Sequence, residues 1–310
     1  MKLTKKDAEL LDYLAKHGFF GVPTVPQPTI KEVAIALSIR KSNLTNRVKK
    51  LEKLHLIAVE RKGRSKQLWL NYSIRLAFFK TTLKFPFAFK DILSGRTPFL
   101  LASMKKQGVR IKNLGIPAIS AKRMLSMLSK LGIIFKPSRG IYRLRDAAFP
   151  IADFCRTILT QIHVAEAEDE MPSITNAVVS FDGAQDVEAI FVAEQESEPV
   201  HYWPTSYSVF HEHGIRLISA GKYYYSSIKP DLRDVVIHTL ALGRDTRSIA
   251  YISALMIKNN FDCKSLLGKR QRFNLPVLFI KNLIAFAESK GKKAFQEFPN
   301  WGEVEAIAYG

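Results

Sequence analysis

Cysteine is nearly absent: Cys155 and Cys263 are the only two in 310 residues. Two thiols cannot build the disulfide framework of a small secreted fold, and they read as buried thiols in a reducing cytoplasm. No stretch approaches the roughly 20 apolar residues that span a bilayer. The opening MKLTKKDAELL starts an amphipathic helix and lacks the apolar core of a secretory signal. Also missing are a Gly-rich phosphate loop, a dinucleotide-binding fingerprint and a nucleophile elbow. The expectation is a cytoplasmic protein, not an enzyme, with no cofactor, no metal and no catalytic residue.

Acids are scarce in one half of the chain only. Residues 1–146 hold 31 lysines and arginines against 8 acids, a net charge of +23. Residues 147–310 hold 16 against 20, a net of −4. A basic excess confined to one half predicts a polyanionic partner for that half. The chain is 47% hydrophobic, which marks it as globular, and its length suits two or three domains with separate cores.

Within the basic half, SIRKSNLTNRVKKLEKLHLI (38–57) has an apolar stripe of Leu44, Val48, Leu51 and Leu54, spaced four, three and three. At about 100° per residue these share one helix face. The other side carries Ser42, Asn43, Thr45, Asn46, Lys49, Lys50 and Lys53, with only Glu52 to offset the cations. Upstream, Thr29 and Glu32 stand at capping-box spacing before a short helix, and KKDAELLDYLAKHG supplies Leu10, Leu11 and Leu14 to a core. Downstream, IAVERKGRSKQLWLNY reads as strand, turn at Gly63, strand, with Arg61, Lys62, Arg64 and Lys66 around the turn. Three helices and a basic hairpin make a winged helix-turn-helix. Its third helix is expected in a DNA major groove, with Ser42, Asn43, Thr45 and Asn46 at base edges and the lysines at phosphates.

The pattern recurs 77 residues later. ALSIRKSNLTNRVKKLEKLHLI aligns without a gap on NLGIPAISAKRMLSMLSKLGII. The stripe becomes Ala121, Leu125, Leu128 and Leu131, and Gly63 meets Gly140. The second outward face holds Lys122, Arg123, Ser126 and Lys130, with Lys136, Arg139, Arg143 and Arg145 in or near its hairpin. TPFLLASMKKQG is expected as its first helix, and FFGVPTVPQP is an extra Pro-rich loop in the first copy. A repeat this long is more specific than either helix alone. The expected fold class is therefore mainly α with α+β: two tandem winged helices at 1–75 and 85–146, a connecting helix at 147–170, and a compact α+β domain at 171–310.

In that last domain, NAVVSFDGAQDVEAIFVAEQ reads as two strands around an Asp-Gly turn. HYWPTSYSVFHEHGIRLISAGKYYYSS mixes a short helix with a strand, and 231–243, 246–260 and 275–290 read as helices, the last two apolar nearly all round. His211 and His213 have no third ligand in view. Asp182, Asp186 and Glu194 lie on strands as nuclease acids do, but EQE stands where an acid-x-Lys would be, and solvated acids are the favoured reading. The tyrosines of KYYYSS suit a strand better than a base-stacking platform.

The repeats resemble MarR-like members of the winged helix-turn-helix superfamily across about residues 1–146, on the helix-turn-helix-wing pattern IKEVAIALSIRKSNLTNRVKKLEKLHLI and its repeat. That resemblance implies sequence-specific binding of double-stranded DNA in transcription regulation. The order PTSYSVFHEHGI, KYYYSSIKPDLRDVVIHTLAL and an apolar helix pair, roughly 174–290, looks like the regulatory domain of AbiEi-type antitoxins. This second resemblance implies an autorepressor with a nucleotidyltransferase toxin as partner. That family typically has one winged helix, where this chain has two. Two other functions stay open: a DNA-processing or replication factor whose C-terminal half acts on DNA, and a scaffold whose winged helices bind protein. A monomer and a homodimer both remain open.

Overall fold

The computed structural model describes residues 3–17, 27–82, 89–104, 108–182, 186–217, 221–226, 228–269, 273–293 and 295–310. They fall into two units, Met1–Glu166 with Phe181–Asp186, and Ala167–Ser180 with Val187–Gly310. Helix and sheet are mixed throughout, as expected of an α+β chain. Among the described residues, no helix is long and apolar enough to cross a membrane.

In the first unit, helix α1 (Lys5–His17) buries Leu10, Leu11 and Leu14. Helix α2 (Ile30–Ala36) begins in the capping box of Thr29 and Glu32, where each side chain bonds the other's backbone N–H. Helix α3 (Lys41–Lys53) buries Leu44, Val48 and Leu51. Burying each leucine contributes about 1.5–3 kcal/mol. Strands β1 (Ile57–Lys62) and β2 (Ser65–Leu70) form an antiparallel hairpin closed by Gly63 and Arg64. Helices α4 (Tyr72–Thr82), α5 (Phe89–Ile92) and α6 (Thr97–Ser103) follow. Next come strand β3 (Val109–Arg110), helix α7 (Ala118–Lys130), strands β4 (Ile134–Ser138) and β5 (Ile141–Leu144), and helix α8 (Phe149–Ala167).

The 77-residue repeat is present in the backbone. Helices α3 and α7 start, end and bury residues at positions 77 apart. Three left-handed residues repeat as well: Ser38 and Gly115 (φ 53° and 63°), His55 and Gly132 (54° and 70°), Gly63 and Gly140 (60° and 79°). After α3, Leu56 N–H bonds Leu51 C=O and His55 N–H bonds Glu52 C=O; after α7, Ile133 bonds Leu128 and Gly132 bonds Ser129 in the same way. Both helices thus end in a Schellman motif, which satisfies their last carbonyls by turning the chain left-handed.

The copies also differ. The counterpart of α2 is reduced to a 3-10 turn at Ile111–Asn113, preceded by β3. Strand β3 pairs with β5 and makes a three-stranded sheet of order β3-β5-β4. Pro137 lies where the β4–β5 register shifts, on the edge strand where a missing N–H is tolerated. The expected helix TPFLLASMKKQG ends at Ser103, and its residues 105–107 lie outside the described residues. So does most of the Pro-rich loop, residues 19–26.

Within the first unit the copies are tied together. Leu3 C=O accepts from Gly95 N–H, and α1 packs against α5. Phe78 of α4 meets Phe154 of α8 edge-on at 6.3 Å, and Thr81 Oγ1 donates to Pro150 C=O. Arg156 of α8 donates to the carbonyls of Ala102 and Met104, the end of α6. Helix α8 therefore belongs to the first unit up to Glu166.

In the second unit, which leaves out Phe181, Asp182 and Asp186 at the strand ends, strands β6 (Ile174–Asp182), β7 (Asp186–Ala193), β8 (Trp203–Pro204) and β9 (Lys222–Tyr225) form a sheet of order β6-β7-β9-β8. The expected Asp-Gly turn falls on residues 183–185, outside the described residues. Helices α9 (Leu232–Leu242), α10 (Thr246–Lys258), α11 (Leu266–Lys269), α12 (Val277–Glu288) and α13 (Trp301–Tyr309) complete it. Their core includes Val236, Ile252, Leu255, Leu283 and Phe286. Helix α12 is less enclosed than its sequence suggests, because Val277 and Leu278 in its first turn are exposed.

Candidate nucleic-acid interface

The inward stripe of α3 fixes what its other side shows. With Leu44, Val48 and Leu51 buried, Ser42, Asn46, Lys49 and Lys53 form an exposed row spaced four, three and four, and Asn43 is exposed beside them. Thr45 is half-buried, and its hydroxyl donates to Lys41 C=O at 2.9 Å, leaving its oxygen to accept. Neither α3 nor α7 has a side-chain cap, so their first-turn N–H groups remain as donors at the end of each row.

Lys50 stands apart from that row. Its ammonium donates to Asp7 Oδ2 at 2.6 Å, and Arg47 Nη1 reaches Asp7 Oδ1 at 2.9 Å and Thr4 Oγ1 at 3.1 Å. Asp7 is buried on α1. Burial alone would raise its carboxyl, but the hydrogen bonds from Lys50 and Thr4 outweigh that and hold it below the usual carboxylate range. Lys50 and Arg47 therefore clamp α3 to α1. In the second copy Met124 and Met127 occupy the corresponding positions, so this clamp belongs to the first copy alone.

The hairpin extends the basic face. Arg61, Lys62, Arg64 and Lys66 are all exposed. Arg61 stands directly opposite Lys66 across β1–β2. Like charges in that position repel, which an external anion would relieve. On the second copy Lys122, Arg123, Ser126 and Lys130 are exposed along α7, and Lys136, Arg139, Arg143 and Arg145 are exposed in and just after its hairpin. In each copy a helix face and a hairpin tip present cations to solvent together. Ile119 in the first turn of α7 is also exposed, a residue that charge and polarity alone do not single out.

Among the described residues, the other sequence candidates do not converge. His211 is exposed, His213 half-buried and Glu194 exposed, while the side chains of Asp182 and Asp186 lie outside the described residues. Among the described residues no cluster of three or more His, Cys, Asp or Glu side chains is placed to hold a metal. Cys155 and Cys263 are both free thiols; burial pushes the first upward and the second up to about 11, against nucleophilic thiolates. Tyr224 and Tyr225 of β9 are buried, and Tyr224 donates to Ser197 C=O at 2.8 Å, so they pack the sheet. Neither a family model, nor a curated protein, nor a solved structure matches the chain.

Proposed function

We propose that the chain is a sequence-specific, double-stranded-DNA-binding transcription regulator built on two tandem winged helix-turn-helix copies. The observation that carries this reading is the repeated pairing of a 13-residue helix with an exposed basic face and a hairpin with a basic tip. Helices α3 and α7 enter successive major-groove segments, and the hairpins lie along phosphates. Ser42, Asn43, Asn46 and Ser126 suit base edges, and Lys49, Lys53, Lys122, Arg123 and Lys130 suit phosphates. Tying both copies into one unit favours a continuous site, since the second contact is then effectively intramolecular. The near-neutral second unit is the regulatory part. By the AbiEi-type resemblance it would meet a nucleotidyltransferase partner, which co-purification with that partner tests.

Mobility shifts of the full chain on duplex DNA at several salt concentrations test the DNA reading. Affinity should fall linearly in log–log form with a slope of several units, one unit for roughly each phosphate neutralised. Binding that ignores salt would point instead to a scaffold that binds protein.

A further inference from the structure

Ile119 leaves 84% of its surface in water, the largest exposure among the large apolar side chains described. It lies in the first turn of α7, and Lys122 and Arg123 follow three and four residues on, on the same exposed side. Its helix buries Ala121, Leu125 and Leu128 instead, so Ile119 has no part in the core. Its neighbours along the helix, Ala118, Ser120, Lys122 and Arg123, are small or charged, and all four are exposed. Shifted back by 77 residues, the same place on α3 is held by Ser42, which is also exposed. The two copies thus present a hydroxyl and a branched alkyl group at one geometric position.

A recognition helix brings its N-terminal residues to the base edges. A serine there exchanges hydrogen bonds with several bases. An alkyl side chain has one apolar complement on the major-groove edge, the C5-methyl group of thymine. Flanking cations at phosphates hold the helix end in place without reading sequence.

We propose that Ile119 is a specificity residue that selects thymine through its C5-methyl group, so that the two copies read their half-sites by different chemistry. This rests on the DNA-binding reading above. The consequence is an asymmetric site: the segment under α7 requires a thymine that the segment under α3 does not.

The test uses the full chain. A pool of random duplexes of roughly 30 base pairs, long enough for two helical turns with flanks, is selected for binding. Each thymine of the enriched site is then replaced by deoxyuridine, which removes only the methyl group. At one or two thymines the replacement should weaken binding about fourfold, the value of one buried methyl-sized group. Ile119→Ser should bind the thymine and uracil forms equally while keeping its salt slope, and Ser42→Ala should keep the discrimination. Equal affinity for thymine and uracil at every position, with salt-dependent binding intact, overturns the proposal and leaves DNA binding standing. So does discrimination that survives in Ile119→Ser. A pool that yields no enriched site, with binding indifferent to salt, defeats the DNA reading itself and this proposal with it.

Discussion

Lys50 Nζ on α3 and Asp7 Oδ2 on α1 are 2.6 Å apart, and Asp7 is buried while Lys50 keeps about a quarter of its side chain in solvent. This pair separates two kinds of lysine on one helix. Lys49 and Lys53 lie on the exposed row, whereas Lys50 holds α3 against α1. Lys49→Ala and Lys53→Ala should each lower the salt slope of DNA binding by about one unit, and Lys49→Ala should leave thermal stability unchanged. Lys50→Ala should do the reverse: a lower melting temperature and an unchanged slope. Paired melting curves and salt titrations decide it.

Asp7→Asn should cost about 1–3 kcal/mol, because two cations lose the carboxylate that satisfies them. The same carboxyl is held below the ordinary range in the folded chain. Its contribution is therefore complete above the unfolded value, about pH 4, and is lost as pH falls through the lower folded value. Wild type should lose stability on acidification through that window more steeply than Asp7→Asn does. Urea unfolding at a series of pH values measures the difference.

The left-handed residues that follow α3 and α7 differ in kind. Gly132 has φ 70° and open space where a Cβ would stand, while His55 adopts φ 54° with a full side chain. Gly132→Ala should therefore destabilise by about 1 kcal/mol through backbone strain alone. His55→Gly relieves strain but adds unfolded-state entropy and removes what the imidazole contributes, for a net change of about 0.5 kcal/mol or less. Equal and opposite changes of several kcal/mol would contradict this account of the Schellman turns.

The repeat was legible because an apolar stripe of period 3.6 survives while most of the residues around it change: Leu44 and Ala121 both point inward although little else nearby is shared. The partner of Lys50 was not legible. Asp7 lies 43 residues earlier on another helix, and a helical wheel shows which way a lysine points but not what faces it. The reduction of the second copy's α2 to a 3-10 turn was hidden as well, since β3 is two residues long and below the length at which alternation can be read. Helix α13 escaped for a related reason. Its nine residues include Gly302, and only Val304 and Ala308 are fully buried. It packs against α10 through those two residues, and Trp301 adds an edge-on aromatic contact to Phe286 at 5.4 Å.

In the second unit, Lys269 Nζ bonds both carboxylate oxygens of Asp231 and Oδ1 of Asp234, the two residues of the capping box that starts α9. Burial would raise Asp231, but Lys269 and the Asp234 backbone N–H hold it well below the usual range. Lys269→Met should lower the melting temperature of this unit. It should also remove part of the wild type's stability above the ordinary carboxylate range, the part that wild type itself loses on acidification. DNA affinity should stay the same. A weakened DNA complex in this variant would mean that the second unit contributes directly to binding.

The most direct test of the central claim is the length of duplex protected by the full chain and by its Lys122→Glu, Arg123→Glu variant. Both side chains are exposed on α7, so the substitutions disturb no core contact. The account predicts protection over roughly two helical turns for wild type and about one for the variant, with a loss of affinity well beyond a small additive change. An unchanged footprint in the folded variant would contradict it, because α7 and its basic face would then have no part in reading DNA.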